Sequence, residues 1–514
     1  MMKRLPALLT LLLTTLASPG ASQVISESFD LSALQKIREE GLTRSRIDSL
    51  AGYLTDVIGA RLTNSPAARR ANEWAAETLR GFGLVNVRLE PWDSAFGRGW
   101  ELLRFTAQIL EPWTLPLSAY PQAWSGSTMA RGRPGPVTCT VKVVEVRDSA
   151  DLARYRGTLR DACVLRGAPP AIPLSFDPVA SRLTLEQLVN PPAPPGPGGP
   201  PAGGPSNVQQ MVRLNAMLTQ LIRDERPAAV LQSSGWSFNL IRSGSHFDGR
   251  TARDSVYDPV PHILVAHEQY GRMYRVAKRG TPIRLELEVR ARFLDDNRVP
   301  TNVVAEIAGT DKSDEVVMIG AHYDSWHSGT GATDNGAGSV IMMEAMRILK
   351  ASGLPVRRTV RIALWTGEEQ GLLGSRSWVR MHRDELPKIS AYLNVDNGTG
   401  RLRGIWDQSN SAALPIFQQI LAPLQDLGVV VVSHGTTGGT DHLSFVRAGV
   451  PGFNFRQDPI EYGTRTHHSN VDTFERLVLD DLKQAATVVA WTAYAIANRA
   501  ELMPRPTPPR VGTP

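Results

Sequence analysis

Residues 359–371 read TVRIALWTGEEQG. Thr359–Leu364 is an apolar run with the look of a buried strand. Beyond it the chain passes through Gly367 and enters LLGSRSWVRMH (372–382), which reads as a helix. Glu368 and Glu369 therefore stand side by side where a core strand runs out, flanked by glycines and with no basic neighbour. Adjacent anions in such a place need positive charge brought from elsewhere.

Working outward, strands and helices alternate from about Pro300 to Glu501. EVVMIG (315–320), TVRIALW, AYLNV (391–395), LGVVVVS (427–433) and VPGFNF (450–455) read as strands. AGSVIMMEAMRILKASG (337–353), 372–382 and a long final segment, DDLKQAATVVAWTAYAIANRA (480–500), read as helices. This alternation predicts an α/β layer architecture. Upstream, residues 31–92 are mostly helical in spacing: LSALQKIREEGL, SRIDSLAGYLTDVIG and SPAARRANEWAAETLRGFGL, the last with a capping serine and a glycine stop. NVRLEPW (86–92) reads as a strand. Between about 119 and 295 short strand-like pieces such as TCTVKVVEV (138–146), ACVLRG (162–167), HILVA (262–266) and IRLELEVRARF (283–293) alternate with turns. That region holds a Pro/Gly tract, 191–206, unable to build a core, followed by a helix candidate at 207–225. The expected division is a leader at 1–22, an N-terminal helical part at 23–118, an inserted unit at 119–295, a catalytic part at 296–501 and a Pro-rich tail at 502–514.

In open α/β sheets functional groups collect beyond the carboxyl ends of the strands. After EVVMIG come His322, Asp324, His327 and Asp334; after TVRIALW, Glu368 and Glu369; after AYLNV, Asp396. After LGVVVVS come His434, Asp441 and His442, and after VPGFNF a loop brings His467, His468 and Asp472. Any one of these has a bland explanation as a turn, packing or surface residue, and His246, His262, His267 and His382 have no supporting context. Their coincidence at successive strand ends, in glycine-rich loops, predicts a metal centre. Imidazole and carboxylate ligands suit Zn²⁺ or a similar first-row ion. More carboxylates converge than a single catalytic zinc needs, and two ions about 3.5–4 Å apart would use them. Dications at that point would also hold the paired Glu368 and Glu369.

The chain has 514 residues and a net charge of +6, with Lys and Arg dispersed, which gives no sign of nucleic-acid binding. MMKR, the apolar Leu5–Ala17 and the small residues SPGAS read as a secretory signal peptide, so the mature protein is expected to be exported, periplasmic or secreted. The apolar run is shorter than the roughly 20 residues of a bilayer span, and no other segment is apolar enough for one. The two cysteines, Cys139 and Cys163, lie on strand-like segments; one disulfide and two buried thiols are both open.

GAHYDSW, GATDNGAG, WTGEEQG, NVDNGTG and HHSNVDT, in this order, resemble the co-catalytic di-zinc aminopeptidase and glutamate carboxypeptidase family, nearest to its carboxypeptidase Q branch. Residues 144–167 and 260–280 are similar to the protease-associated domain that interrupts many members. The resemblance implies a mixed central sheet flanked by helices, with an inserted, mostly-β protease-associated domain. It implies two Zn ions, one held by His322 and Asp396, the other by Glu369 and His468, with Asp334 bridging, and a cis peptide at Asp334–Asn335. Glu368 would be the general base acting on a bridging water, and His467 would polarise or shield the oxyanion, although His467 itself as the ligand stays open. Asp324 is expected to hold the far nitrogen of His322, and Asp472 to orient the histidine loop. The implied activity is hydrolysis of the N-terminal peptide bond of dipeptides or short peptides, and the resemblance also implies a homodimer. Two alternatives are a single-zinc, glutaminyl cyclase-like enzyme and a non-catalytic binding protein like the transferrin receptor. The filled ligand positions argue against both.

Overall fold

The computed structural model describes residues 27, 29–190, 205–245 and 259–506. The leader at 1–22, most of the Pro/Gly tract, His246 and most of the tail lie outside the described residues.

Glu368 and Glu369 follow the strand Arg358–Trp365, which is buried along its whole length. It lies inside an eight-stranded mixed sheet ordered Val85–Pro91, Thr301–Ile307, Arg358–Trp365, Lys312–His322, Ile389–Asn394, Gly452–Gln457, Leu402–Trp406, Val431–Ser433. The four strands from Arg358–Trp365 to Gly452–Gln457 in this order run parallel. Side chains alternate between two cores, as the period of a strand requires. Val317, Ile319, Val360, Ile362 and Leu364 enter one core, with the helices Leu31–Thr43, Pro66–Gly81, Ala337–Ala351 and Leu479–Asn498. Met318, Ala363 and Trp365 enter the other, with Trp378 and Phe445 from the helices Leu373–Met381 and His442–Arg447. A parallel sheet covered on both faces explains the near-continuous apolar runs. The arginines in the buried strand are paired: Arg361 donates to Glu306 and Glu385 at 2.6 and 2.7 Å, and Arg358 to Glu315 at 2.7 Å.

Register places the site. His322 is level with Trp365, Gly320 with Asn394, and Asn394 with Asn454. The parallel strands thus stop near one edge, and whatever follows each lands in one place.

A second eight-stranded sheet has the order Leu115–Pro116, Gly99–Glu111, Arg284–Leu294, Val137–Val144, Cys163–Arg166, Ala229–Ser233, His262–Val265, Ala119–Pro121. It begins earlier in the chain than the expected 119: the 13-residue strand Gly99–Glu111 pairs along most of Arg284–Leu294. Its sequence, GWELLRFTAQILE, is rich in good helix formers, so its strand state comes from pairing rather than propensity. Cys139 and Cys163, on neighbouring parallel strands, form a disulfide. No helix among the described residues is long and apolar enough to cross a membrane.

Two segments of this second unit rest on the loops of the first. Ser181 and Ile460 pair as an isolated bridge, and Arg182 joins the buried Asp458 and Asp481 at 3.0 and 2.6 Å. Ile241–Ser243 lies along the histidine loop: Ser243 N donates to His468 O at 2.8 Å and Asn470 N to Ile241 O at 3.0 Å.

Candidate metal centre

His322 ends its strand, Glu368 and Glu369 follow Trp365 through a turn at Gly367, and Asp396 follows Asn394 by two residues. Asp334 sits in the turn 332–336 that starts the helix Ala337–Ala351, and its peptide bond to Asn335 is cis. His467 and His468 come from the loop after Gly452–Gln457. All seven line one cavity of about 510 Å³ at the strand ends.

Within it Asp334 is shared. Its Oδ1 lies 3.2 Å from His322 Nε2, which also lies 3.4 Å from Asp396 Oδ1. Its Oδ2 lies 3.3 Å from His468 Nε2, which is 2.9 Å from Glu369 Oε2. One carboxylate therefore faces two separate groups of donors. His467 Nε2 is 3.7 Å from the same Oδ2.

The turns around these donors are tightly specified. Asp324, fully buried, accepts from the backbone amides of Glu368 and Glu369 at 3.1 and 3.3 Å and from Thr63 Oγ1 at 2.8 Å. This corrects its expected role. His322 Nδ1 is held instead by the main-chain oxygen of Asp324 at 3.0 Å, while the carboxylate stands 3.7 Å away. A carbonyl only accepts, so Nδ1 donates to it, and Nε2 is the nitrogen turned toward the cavity. Asp472 binds the Asp334 turn, accepting from Thr333 N at 2.6 Å and Asp334 N at 3.1 Å, rather than mainly ordering the histidine loop. Arg61, also fully buried, donates to the carbonyls of Tyr323, Thr330 and Gly331 at 2.8 Å and so fixes the loop between His322 and Asp334.

The residues fit cations. Asp334 Oδ2, Glu369 Oε1 and Asp396 Oδ1 are buried oxygens without a hydrogen-bond partner, a costly state unless positive charge is supplied. Burial, the neighbouring Asp334 and other acids push Glu369 well above the carboxylate range. Although burial opposes it, Asp396 and Glu368 raise His322 well above an ordinary imidazole. Both shifts express surplus negative charge in a closed space.

Other candidates lie elsewhere. His327 is buried among Trp100 and Tyr120 with Nε2 on Pro121 O at 2.8 Å, and burial lowers it to about 4. His434 is largely exposed and pairs with Asp407 at 2.7 Å. His442 starts its helix with Nε2 on Thr437 O at 3.0 Å, and Asp441 is buried beside it. The sequence reading missed Tyr462 and Arg447, which line the cavity, and Arg242, whose guanidinium meets His467 Nδ1. Tyr462 lies five residues before His467 with no motif around it, and Arg242 is 225 positions away.

This fold, with a cluster of imidazoles and carboxylates at the strand ends, defines a metallopeptidase class. The description "Peptidase family M28" matches residues 302–493. Carboxypeptidase Q of Xenopus laevis is 33% identical over 468 residues, covering 90% of this chain and 88% of that protein. Carboxypeptidase Q of Mus musculus is 29% identical over 469 residues, with the same coverage of 90% and 88%. The chain belongs to peptidase family M28 and is an enzyme, a hydrolase of the metallo-exopeptidase class. In fold it is similar to a peptidase M28 precursor from Shewanella amazonensis, at TM-score 0.66 and 24% identity over 93% of this chain and 99% of that one. It is also similar in fold to a zinc aminopeptidase from Bacillus subtilis, at TM-score 0.56 and 17% identity over 88% and 94%.

Proposed function

We propose that the chain is an exported zinc exopeptidase that hydrolyses dipeptides or short peptides at their N-terminal peptide bond. His322 and Asp396 would hold one ion and Glu369 and His468 a second, with Asp334 shared between them. The observation that carries this reading is the Asp334 carboxylate, whose two oxygens face His322 and His468 separately. The unpartnered oxygens of Asp334, Glu369 and Asp396 support it. When bound, the ions supply Lewis acidity, which lowers the pKa of water and polarises a carbonyl.

The protein's own groups do the rest. Glu368 lines the cavity, and burial together with Asp396, Asp441 and Glu369 raises its proton affinity. It takes a proton from the attacking water and returns it to the leaving nitrogen as the C–N bond breaks. Asp324 holds the amides of Glu368 and Glu369, so the two side chains keep separate tasks. Arginine has donors only, so the contact with Arg242 makes His467 Nδ1 the acceptor and leaves the proton on Nε2, facing the cavity. A proton there favours His467 as a hydrogen-bond donor to the oxyanion and His468 as the ligand. A cavity of about 510 Å³ suits a small peptide.

We further infer that residues 23–98 and 296–501 form the catalytic part, that the inserted unit expected at 119–295 is protease-associated-like and also takes in Gly99–Glu111, whose strand joins its sheet, and that 1–22 is an export leader. A disulfide between Cys139 and Cys163 accords with an oxidising destination. Zinc-loaded protein is expected to cleave dipeptides and to lose activity with a strong chelator. Absence of hydrolysis in protein holding its full metal complement would overturn the reading.

A further inference from the structure

The loop that carries His467 and His468 is held from two directions. Its ends belong to the catalytic part: Thr333 Oγ1 donates to Thr466 Oγ1 at 2.8 Å, and Thr330 N donates to Asp472 O at 2.8 Å. Its middle does not. Among the described residues, the main-chain hydrogen bonds that reach 467–470 from outside the loop come from Ile241–Ser243, in the inserted unit. Ser243 N donates to His468 O at 2.8 Å, Asn470 N to Ile241 O at 3.0 Å, and Ile241 N to Asn470 Oδ1 at 2.7 Å. Arg242, between them, pairs with Ser469 as an isolated antiparallel bridge, and its guanidinium meets His467 Nδ1 while lying over the Trp236 ring at 4.8 Å.

His468 needs such a hold. Its φ is 61°, in the left-handed region, where an L side chain crowds its own backbone. Glycine would relieve the crowding, but the imidazole is the donor that faces Asp334 and Glu369. The carbonyl of this same residue is the one that Ser243 fixes. On its other side the segment is anchored to the inserted unit's sheet: buried Ile241 packs with Leu264 and Ala266 at the end of the strand His262–Val265, and Gly244 O accepts from Ala123 N at 3.0 Å. The His322 side of the centre is held differently. Arg61, from the catalytic part, fixes the loop between His322 and Asp334, and Asp324 O holds His322 Nδ1.

We propose that Ile241–Ser243 is a positioning element of the metal centre. Through it the inserted unit sets the ion that Glu369 and His468 would hold, and leaves the ion at His322 and Asp396 to the catalytic part. This deepens the two-ion peptidase reading and rests on it. Groups behind a ligand fix its orientation and so its affinity for metal. The two ion positions are therefore unequal: docking of the inserted unit governs one and not the other.

The test titrates zinc into metal-free protein against a chromophoric chelator, for wild type, Asn470→Ala, Ser243→Pro and Ser243→Ala. Proline deletes the N–H that His468 O accepts, and Arg242 before it is already in extended pairing, which a following proline tolerates. Alanine at 243 keeps that N–H. Wild type is expected to take up two zinc ions. In Asn470→Ala and Ser243→Pro the affinity for one ion should fall about 10–100-fold while the other stays as in wild type, and Ser243→Ala should match wild type. At zinc concentrations between the two affinities, kcat for Leu-Gly should fall in the two weakened variants and return when zinc is raised. Equal weakening of both ions, no weakening in a folded Asn470→Ala or Ser243→Pro, or equal loss in Ser243→Pro and Ser243→Ala overturns the positioning role and leaves the peptidase reading standing. Wild type that binds a single zinc, or cleaves no dipeptide when fully loaded, overturns the two-ion reading and this one with it. Melting of each metal-free variant separates a lost fold from a misplaced ligand; if Ser243→Pro does not fold, Asn470→Ala decides.

Discussion

Asp324→Asn tests how the paired glutamates are held. The carboxylate is fully buried and accepts from Glu368 N, Glu369 N and Thr63 Oγ1. An amide of the same shape keeps one acceptor and turns the other into a donor, set against a backbone N–H at 3.1 or 3.3 Å. One charge-assisted hydrogen bond is lost, about 1.5–3 kcal/mol, and a buried N–H is left unsatisfied at about 1–3 kcal/mol. Removal of a buried charge in an acid-rich site returns part of this. The expected net loss in the metal-free protein is about 2 kcal/mol, read by denaturant unfolding in a chelator. Metal affinity should fall about 10–100-fold, as for other groups that orient ligands from behind, read by competition with a chromophoric chelator. Wild-type stability together with wild-type metal affinity would refute the reasoning, because the turn carrying Glu368 and Glu369 would then be held by something other than Asp324.

Glu368→Gln should lower kcat about 10²–10⁴-fold with little change in KM or metal content, the range of general acid–base catalysis; a variant keeping more than a tenth of wild-type kcat would exclude Glu368 as the base. A separate prediction concerns pH. Burial lowers His382, but Glu385 and Glu90 on its two ring nitrogens outweigh it and hold the imidazole up to about 9. A raised folded pKa stabilises fully below the unfolded value of about 6.5 and is lost as pH climbs through about 9. Wild type should therefore lose up to about 3 kcal/mol relative to His382→Gln between pH 6.5 and 9.5 in unfolding titrations. Parallel curves for the two proteins would remove the ion triad from the account.

Much of the catalytic sheet was legible because its four parallel strands are largely buried and each leads into a glycine-bearing loop with a metal-type donor. His322, Asp334, Glu368, Glu369, Asp396 and His468 carry motifs of their own. The strand Gly99–Glu111 was not legible: it has little β-branched content, and its partner, Arg284–Leu294, lies far along the chain. Asp324 was misjudged for a different reason. Two positions from His322 it looks like an imidazole partner, yet its backbone oxygen does that work and frees the carboxylate for the next strand's turn. Arg242, Arg447 and Tyr462 have no local signature, because only the folded chain sets them against the site.

The most direct test of the centre is zinc in the crystal. Anomalous scattering from zinc-soaked crystals should show two peaks on either side of the Asp334 carboxylate, one against His322 and Asp396 and the other against Glu369 and His468. A single peak, or peaks that leave Asp334 untouched, would contradict a shared two-ion site.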